Sequence, residues 1–162
     1  NDTIVTPGWI HGLLYHLQKH PSAGMVGPVT NSIGNEAKID VPYSELSDIN
    51  MFAAQRRNAY FGEAFKIRVL ALYCVMISRT LFERVDGLDE RYGIGMFEDD
   101  DLAMKITELG LNLMCAEDVF IHHFHRVTFD TLGAEKFQSI FDENKQKFQE
   151  KWESDWIPHQ QR

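Results

Sequence analysis

Apolar residues recur at helical spacing in several stretches of the chain, and shorter apolar runs between them fit strands. Ile10, Leu13, Leu14 and Leu17 form one stripe and predict a helix over residues 7–20. Thr6 can cap it, Pro7 suits its first turn, and His20-Pro21 ends it. Residues 24–29, Gly-Met-Val-Gly-Pro-Val, read as a short buried strand. From Thr30 to Tyr43 the chain is polar and aperiodic, with Asn31, Ser32, Gly34 and Asn35, which predicts a long loop. Ser47 or Asp48 can cap a second helix reaching about Asn58. The apolar run Val69 to Ile77 predicts a central strand. Thr80 to Val85 predicts a short helix, followed by a turn at Asp86-Gly87. A third helix is expected from Asp99 to Leu109, with Leu102, Ile106 and Leu109 on one face and Gly110 as its stop. Two strands follow, Leu111 to Cys115 and Val119 to Phe124. A last helix runs from Leu132 to Trp152, with Phe137, Ile140, Phe141 and Phe148 as its docking stripe. Strands alternating with helices predict an α/β domain whose sheet lacks strands for completion.

The 162 residues fit one domain, and 44% hydrophobic with 12% aromatic content excludes disorder. No apolar run is long enough for a bilayer. The chain opens Asn1-Asp2-Thr3, with neither a signal peptide nor an initiator Met, so a processed or excised piece is expected. A net charge of −8 without a basic run makes nucleic acid an unsuitable partner, and suits anionic ligands held through a divalent cation. Cys74 and Cys115 sit in apolar segments, as buried thiols of a reducing compartment do. A cytoplasmic location is expected, with the inner face of the membrane as a variant of it.

Chemistry concentrates in Phe97-Glu98-Asp99-Asp100-Asp101-Leu102, four adjacent carboxylates between apolar residues. Such a run is costly to bury without cations or donors. It follows Gly93-Ile94-Gly95-Met96 and enters a helix, so a loop feeding carboxylates into a pocket at a helix N-terminus is expected, with a solvated helix cap as the alternative. His122, His123 and His125 form a second cluster; on a strand His123 and His125 share one face, which suits a metal site. Asp2 gains meaning only from the whole pattern.

Asn1-Asp2-Thr3 with Pro7-Gly8-Trp9, Ser78-Arg79-Thr80-Leu81-Phe82 continuing to Val85-Asp86-Gly87-Leu88-Asp89-Glu90, and the acidic run with His123 downstream together resemble the family 2 glycosyltransferases of the GT-A fold, rhamnosyltransferase-like bacterial enzymes in particular. The resemblance covers residues 1–129 and implies metal-dependent, inverting transfer from a UDP-, GDP- or dTDP-linked sugar to a glycan or lipid-linked acceptor. It implies Asp2 as the ligand of Mg²⁺ or Mn²⁺, Glu98 and Asp99 as the catalytic pair with Asp99 the base, and His123 as a further metal ligand. The family's Gly two places after that histidine is His125 here, so the metal assignment can shift to include it. Asp101 would cap the helix or position the acceptor; Trp9 and the loop from Asn31 to Asn35, Asn31 above all, would border the acceptor, and Arg79 would orient an acid or phosphate, core packing and an ordinary surface arginine being the alternatives for Trp9 and Arg79. Asp86-Gly87 replaces the usual Gly-Gly, and no Gln-x-x-Arg-Trp element occurs, which argues against a processive enzyme. In the family a nucleotide-binding part precedes the Asn-Asp element, so the chain looks like the C-terminal, acceptor-binding half of a GT-A domain, probed best in the parent protein. Half a sheet leaves an open edge that invites a homodimer. Other readings are a non-catalytic sugar-binding module and a metal-dependent hydrolase.

Overall fold

The computed structural model describes residues 2–124 and 133–162. Its centre is a mixed four-stranded sheet in the order β3-β5-β2-β4, formed by β2 (Ala23–Val29), β3 (Ala64–Ile67), β4 (Met76–Ile77) and β5 (Asn112–Phe120). The two inner strands, β2 and β5, run parallel, while β3 and β4 flank them antiparallel. A separate ribbon pairs β1 (Thr3–Ile4) antiparallel with β6 (His122–His123), placing Thr3 opposite His123. The protein is therefore α/β, with a mixed sheet flanked by helices.

Alternation along β2 and β5 gives the sheet two apolar faces. Val26, Met114, Ala116 and Val119 meet Leu13 of α1 (Trp9–Lys19) on one side. Met25, Val29, Leu113, Cys115 and Phe120 meet α2 (Ile49–Ala59) and α4 (Glu98–Glu108) on the other. From α4 come Leu102, Ala103 and Ile106, all almost fully buried. The sheet-facing side of α1 is Leu13, His16 and Leu17, whereas Ile10 and Leu14 of the expected stripe are exposed. Thr6 does not cap α1. Its hydroxyl donates to the Phe120 carbonyl at 2.7 Å, tying the helix entrance to the end of β5.

The expected central strand at 69–77 is corrected. Val69 and Leu70 are buried without pairing, and only Met76–Ile77 joins the sheet, at its edge. Leu70 instead lies against Gly27, where an added Cβ would come within 2.7 Å of its methyl group. β3, with the exposed Lys66 in its short run, carries too little apolar signal to be anticipated. The two strands expected at 111–124 are largely one nine-residue strand. Its polar middle is tolerated because each acid has a partner: Arg56 binds Glu117, while His16 and the Gly62 N–H bind Asp118.

A short helix, α3 (Arg79–Arg84), is capped by the Ser78 hydroxyl. The last helix, α5 (Ala134–Trp152), docks through Phe141, Phe148 and Trp152 onto Tyr92 and Phe97, a third apolar cluster beside the main core. Its expected start at Leu132 lies outside the described residues. Both cysteines are free; burial pushes the Cys74 thiol up to about 11 and Cys115 further. Among the described residues, no helix is long and apolar enough to cross a membrane.

Candidate functional site

Asp2 and His123 meet across the β1–β6 ribbon, with Nε2 of the ring 3.2 Å from Oδ2 of the acid. The Phe124 N–H donates to the Asp2 carbonyl, so backbone pairing brings the two side chains together. Nδ1 of His123 lies 2.8 Å from the Ser32 carbonyl. A carbonyl only accepts, so Nδ1 carries the proton. In the neutral ring Nε2 is then a lone pair facing a carboxylate, an arrangement that a shared proton or a bridging cation relieves.

The ring is held on further sides. Tyr73 stacks on it with centroids 4.9 Å apart and planes 13° from parallel, and the Tyr73 hydroxyl donates to the Pro28 carbonyl. Asn31 clamps the backbone: its Oδ1 accepts the His123 N–H at 2.8 Å and its amide donates to the His123 carbonyl at 3.2 Å. The side chain thus completes the pairing of β6 opposite β1, and Asn31 orients His123. His122 points elsewhere, with its Nδ1 2.7 Å from the Tyr43 hydroxyl. Burial raises that hydroxyl to about 12 and, with the charge of His123, lowers His122. His125 lies outside the described residues.

The acidic run is presented by a strained loop. Gly93, Gly95, Met96 and Phe97 all have positive φ, the last two at 71° and 74°. Left-handed conformations at non-glycine residues cost on the order of 1 kcal/mol each and persist only where the surroundings enforce them. Here Phe97 is buried among Phe141, Phe148 and Trp156. The Asn144 amide, also buried, lies 2.8, 2.9 and 3.2 Å from the carbonyls of Tyr92, Gly95 and Met96.

From this loop the four acids enter the first turn of α4 and diverge, because successive helical residues are rotated by about 100°. Asp101 is wholly buried, within 2.6 Å of Lys151 Nζ, 2.9 Å of Trp152 Nε1 and 3.4 Å of Lys105 Nζ, with the Tyr92 hydroxyl at 3.3 Å. It anchors α5 to α4, a role different from either expected for it, capping the helix or positioning an acceptor. Asp100 accepts from Trp156 Nε1 at 3.0 Å and pairs with His159 Nε2 at 3.3 Å. Asp99 is partly buried, and its Oδ1 accepts the Asp100 N–H at 2.9 Å. Desolvation first, then the charges of Asp100 and Glu98, push its carboxyl up to about 7. Desolvation likewise raises Glu98, whose Oε2 is buried without a hydrogen bond among the described residues. Among those residues, neither Glu98 nor Asp99 forms an ion pair.

Two expected residues lie in neither group. Trp9 packs against the apolar cluster beneath α1, and Arg79 is 88% exposed in an i,i+4 pair with Glu83. Of the residues that hold the groups in place, Ser32 lies in the loop expected beside the acceptor, while Tyr73, Asn144, Trp156 and His159 were not anticipated. Only Asn144 left a sequence signal, a polar residue on the stripe between Phe141 and Phe148. A separate cavity of about 270 Å³ opens between α1 and α2, lined by Tyr15, Arg57 and Phe61 among others, and shares no residue with either group.

Among the described residues, no set of three or more His, Cys, Asp or Glu is arranged to hold a metal ion. Asp2 and His123 offer one oxygen and one nitrogen; the carboxylate is a ligand type that suits Mg²⁺ or Mn²⁺, whereas an imidazole nitrogen is a poor ligand for Mg²⁺ and suits softer transition ions. No family model matches the chain. It is 29% identical over 138 residues to an uncharacterized protein of Mycobacterium bovis and to uncharacterized proteins of two strains of Mycobacterium tuberculosis. The match covers 81% of this chain and 47% of each relative, so the chain spans about half the length of the curated relatives it matches.

Proposed function

We propose that this chain is the acceptor-side part of a GT-A-type glycosyltransferase that transfers a sugar from a nucleotide-sugar donor with inversion, using Asp99 as general base. The supporting observation is the environment of Asp99, a carboxyl in the first turn of a helix with its proton affinity raised to about 7. Such a group is substantially ionised at neutral pH yet basic enough to help deprotonate an attacking alcohol. Asp99 takes the proton of the acceptor hydroxyl as the hydroxyl oxygen bonds to the anomeric carbon. The bond from that carbon to the leaving phosphate oxygen breaks on the opposite side, giving inversion in one displacement. Glu98 raises the basicity of Asp99 by like charge. Asp2 and His123 are the residues that would hold Mg²⁺ or Mn²⁺, and Asn31, Ser32 and Tyr73 keep the imidazole aimed at Asp2. A bound divalent ion supplies charge neutralisation for the departing nucleoside diphosphate.

The test uses the full-length parent protein with UDP-, GDP- and dTDP-sugars and either Mn²⁺ or Mg²⁺, measuring nucleoside diphosphate release. Turnover of one donor that requires metal and disappears in Asp2→Ala is expected. Asp99→Asn should retain slow donor hydrolysis, where water replaces the acceptor, and lose transfer to a glycan acceptor. No turnover with any donor in a folded protein would refute the reading and favour a non-catalytic sugar-binding module. Metal retained through purification without nucleotide would instead favour a hydrolase.

A further inference from the structure

We propose that Trp156 and His159, in the segment following α5, are positioning residues for Asp99, holding it through Asp100. The inference rests on the reading of Asp99 as the base, although the contacts stand by themselves. Glu153 turns the chain at the end of α5 with a positive φ of 47°, and the segment then runs back over the acidic turn. Trp156 wedges its ring against Phe97 and Phe141, with centroids 5.3 and 5.5 Å away, and directs Nε1 at Asp100 Oδ1. His159 pairs with the other oxygen of the same carboxylate. Both oxygens of Asp100 are therefore engaged by the segment, while its N–H is bonded to Asp99 Oδ1.

His159 is itself oriented. Arg68 Nη2 lies 3.2 Å from its Nδ1 and donates to the Ile157 carbonyl at 2.6 Å. A guanidinium only donates, so Nδ1 accepts and the ring proton lies on Nε2, toward Asp100. Farther along, Gln161 donates to the Ile33 carbonyl, and Ile33 follows Ser32, whose carbonyl holds His123. Arg162 then pairs with Glu117 and lies over the Phe65 ring of β3. One segment thus spans from the acidic turn to the loop that orients the histidine of the other group.

The titratable groups around Asp99 are Glu98 and Asp100 from its own helix and, from the segment, His159, which is charged only when protonated, with the Arg68 guanidinium behind His159. Asp100 and Glu98 disfavour ionisation of Asp99, and His159 favours it. With its donors removed, Asp100 would present a less compensated charge to Asp99, and the base would stay protonated to higher pH.

The experiment is a carboxyl ¹³C NMR titration of the chain labelled at aspartate, with the Asp99 signal assigned by its loss in Asp99→Asn. Trp156→Phe removes the N–H donor and keeps an aromatic ring in the Phe97 cluster. His159→Ala removes the second donor, and His159→Gln restores a donor that does not titrate. The Asp99 midpoint is expected to rise by about half a unit or more in Trp156→Phe and in His159→Ala, with partial return in His159→Gln. A midpoint within about 0.2 of wild type in either of the first two variants, with native chemical shifts elsewhere, would overturn the proposal. The titration needs no substrate, so its failure is distinct from failure to find a sugar donor. Where a donor is found, the variants should lower kcat for transfer and leave donor KM unchanged.

Discussion

Replacing Asp99 with Asn should stabilise the protein, and increasingly so as the pH rises. The carboxyl binds its proton more tightly in the folded state, at about 7, than in the unfolded chain, at 3.8. Its folded-state advantage is therefore complete below pH 4 and is lost as pH climbs through 7, where the folded protein must ionise a desolvated group. About three units of difference correspond to an upper bound of about 4 kcal/mol at 1.36 kcal/mol per unit. Partial exposure and solvent access reduce the realistic effect to about 2 kcal/mol at pH 8. Asn keeps the shape, and its carbonyl oxygen can still accept the Asp100 N–H, so little else is expected to change. For a chain of this length the gain amounts to a rise in Tm of about 6 °C at pH 8. The assay is urea denaturation of both proteins at pH 5 and pH 8, followed by far-UV circular dichroism. The advantage of Asn should be larger at pH 8 by about 1–2 kcal/mol. A difference that is independent of pH, or that shrinks toward pH 8, would show that Asp99 is not held near neutrality and would remove the main support for its role as base.

Two further variants probe the frame around the acids. Asn144→Leu leaves the carbonyls of Tyr92, Gly95 and Met96 without their shared donor, and should cost about 2–4 kcal/mol in urea unfolding at neutral pH; a loss below about 0.5 kcal/mol would show that apolar packing alone fixes the loop. Asp89 has the opposite pH behaviour from Asp99. Burial acts to raise its carboxyl, but the bonds from Lys151 and from the Arg91 backbone and side chain outweigh it and hold it well below the ordinary value of 3.8. Asp89→Asn should therefore cost about 1–2 kcal/mol at pH 7, with the deficit shrinking as acid protonates the wild-type carboxylate; equal deficits at pH 7 and pH 3 would contradict the ion-pair account.

The helix α1, though not all of its buried face, the buried run of β2 and the helix opened by four acids could be read from the sequence because local spacing encodes them. An amphipathic period, a proline at a helix start and a glycine after its end act within a few residues of themselves. That locality also exposed the acidic run as the place where charge needs explanation. It could not tell an apolar run that pairs from one that merely packs, as Val69 and Leu70 show, because sheet membership depends on partners distant in sequence. Nor could it join β5 across Glu117 and Asp118, whose acceptability rests on Arg56 and His16 folding onto them from 61 and 102 residues away. The division of labour among the acids was decided in the same way. Asp101 belongs to the interior because Lys151 and Trp152 of α5 reach it, and Asp100 is engaged because Trp156 and His159 return across the turn. Four adjacent carboxylates are nearly equivalent in a sequence. Tertiary structure distinguishes them by supplying donors and cations to Asp100 and Asp101 and desolvation to Glu98 and Asp99.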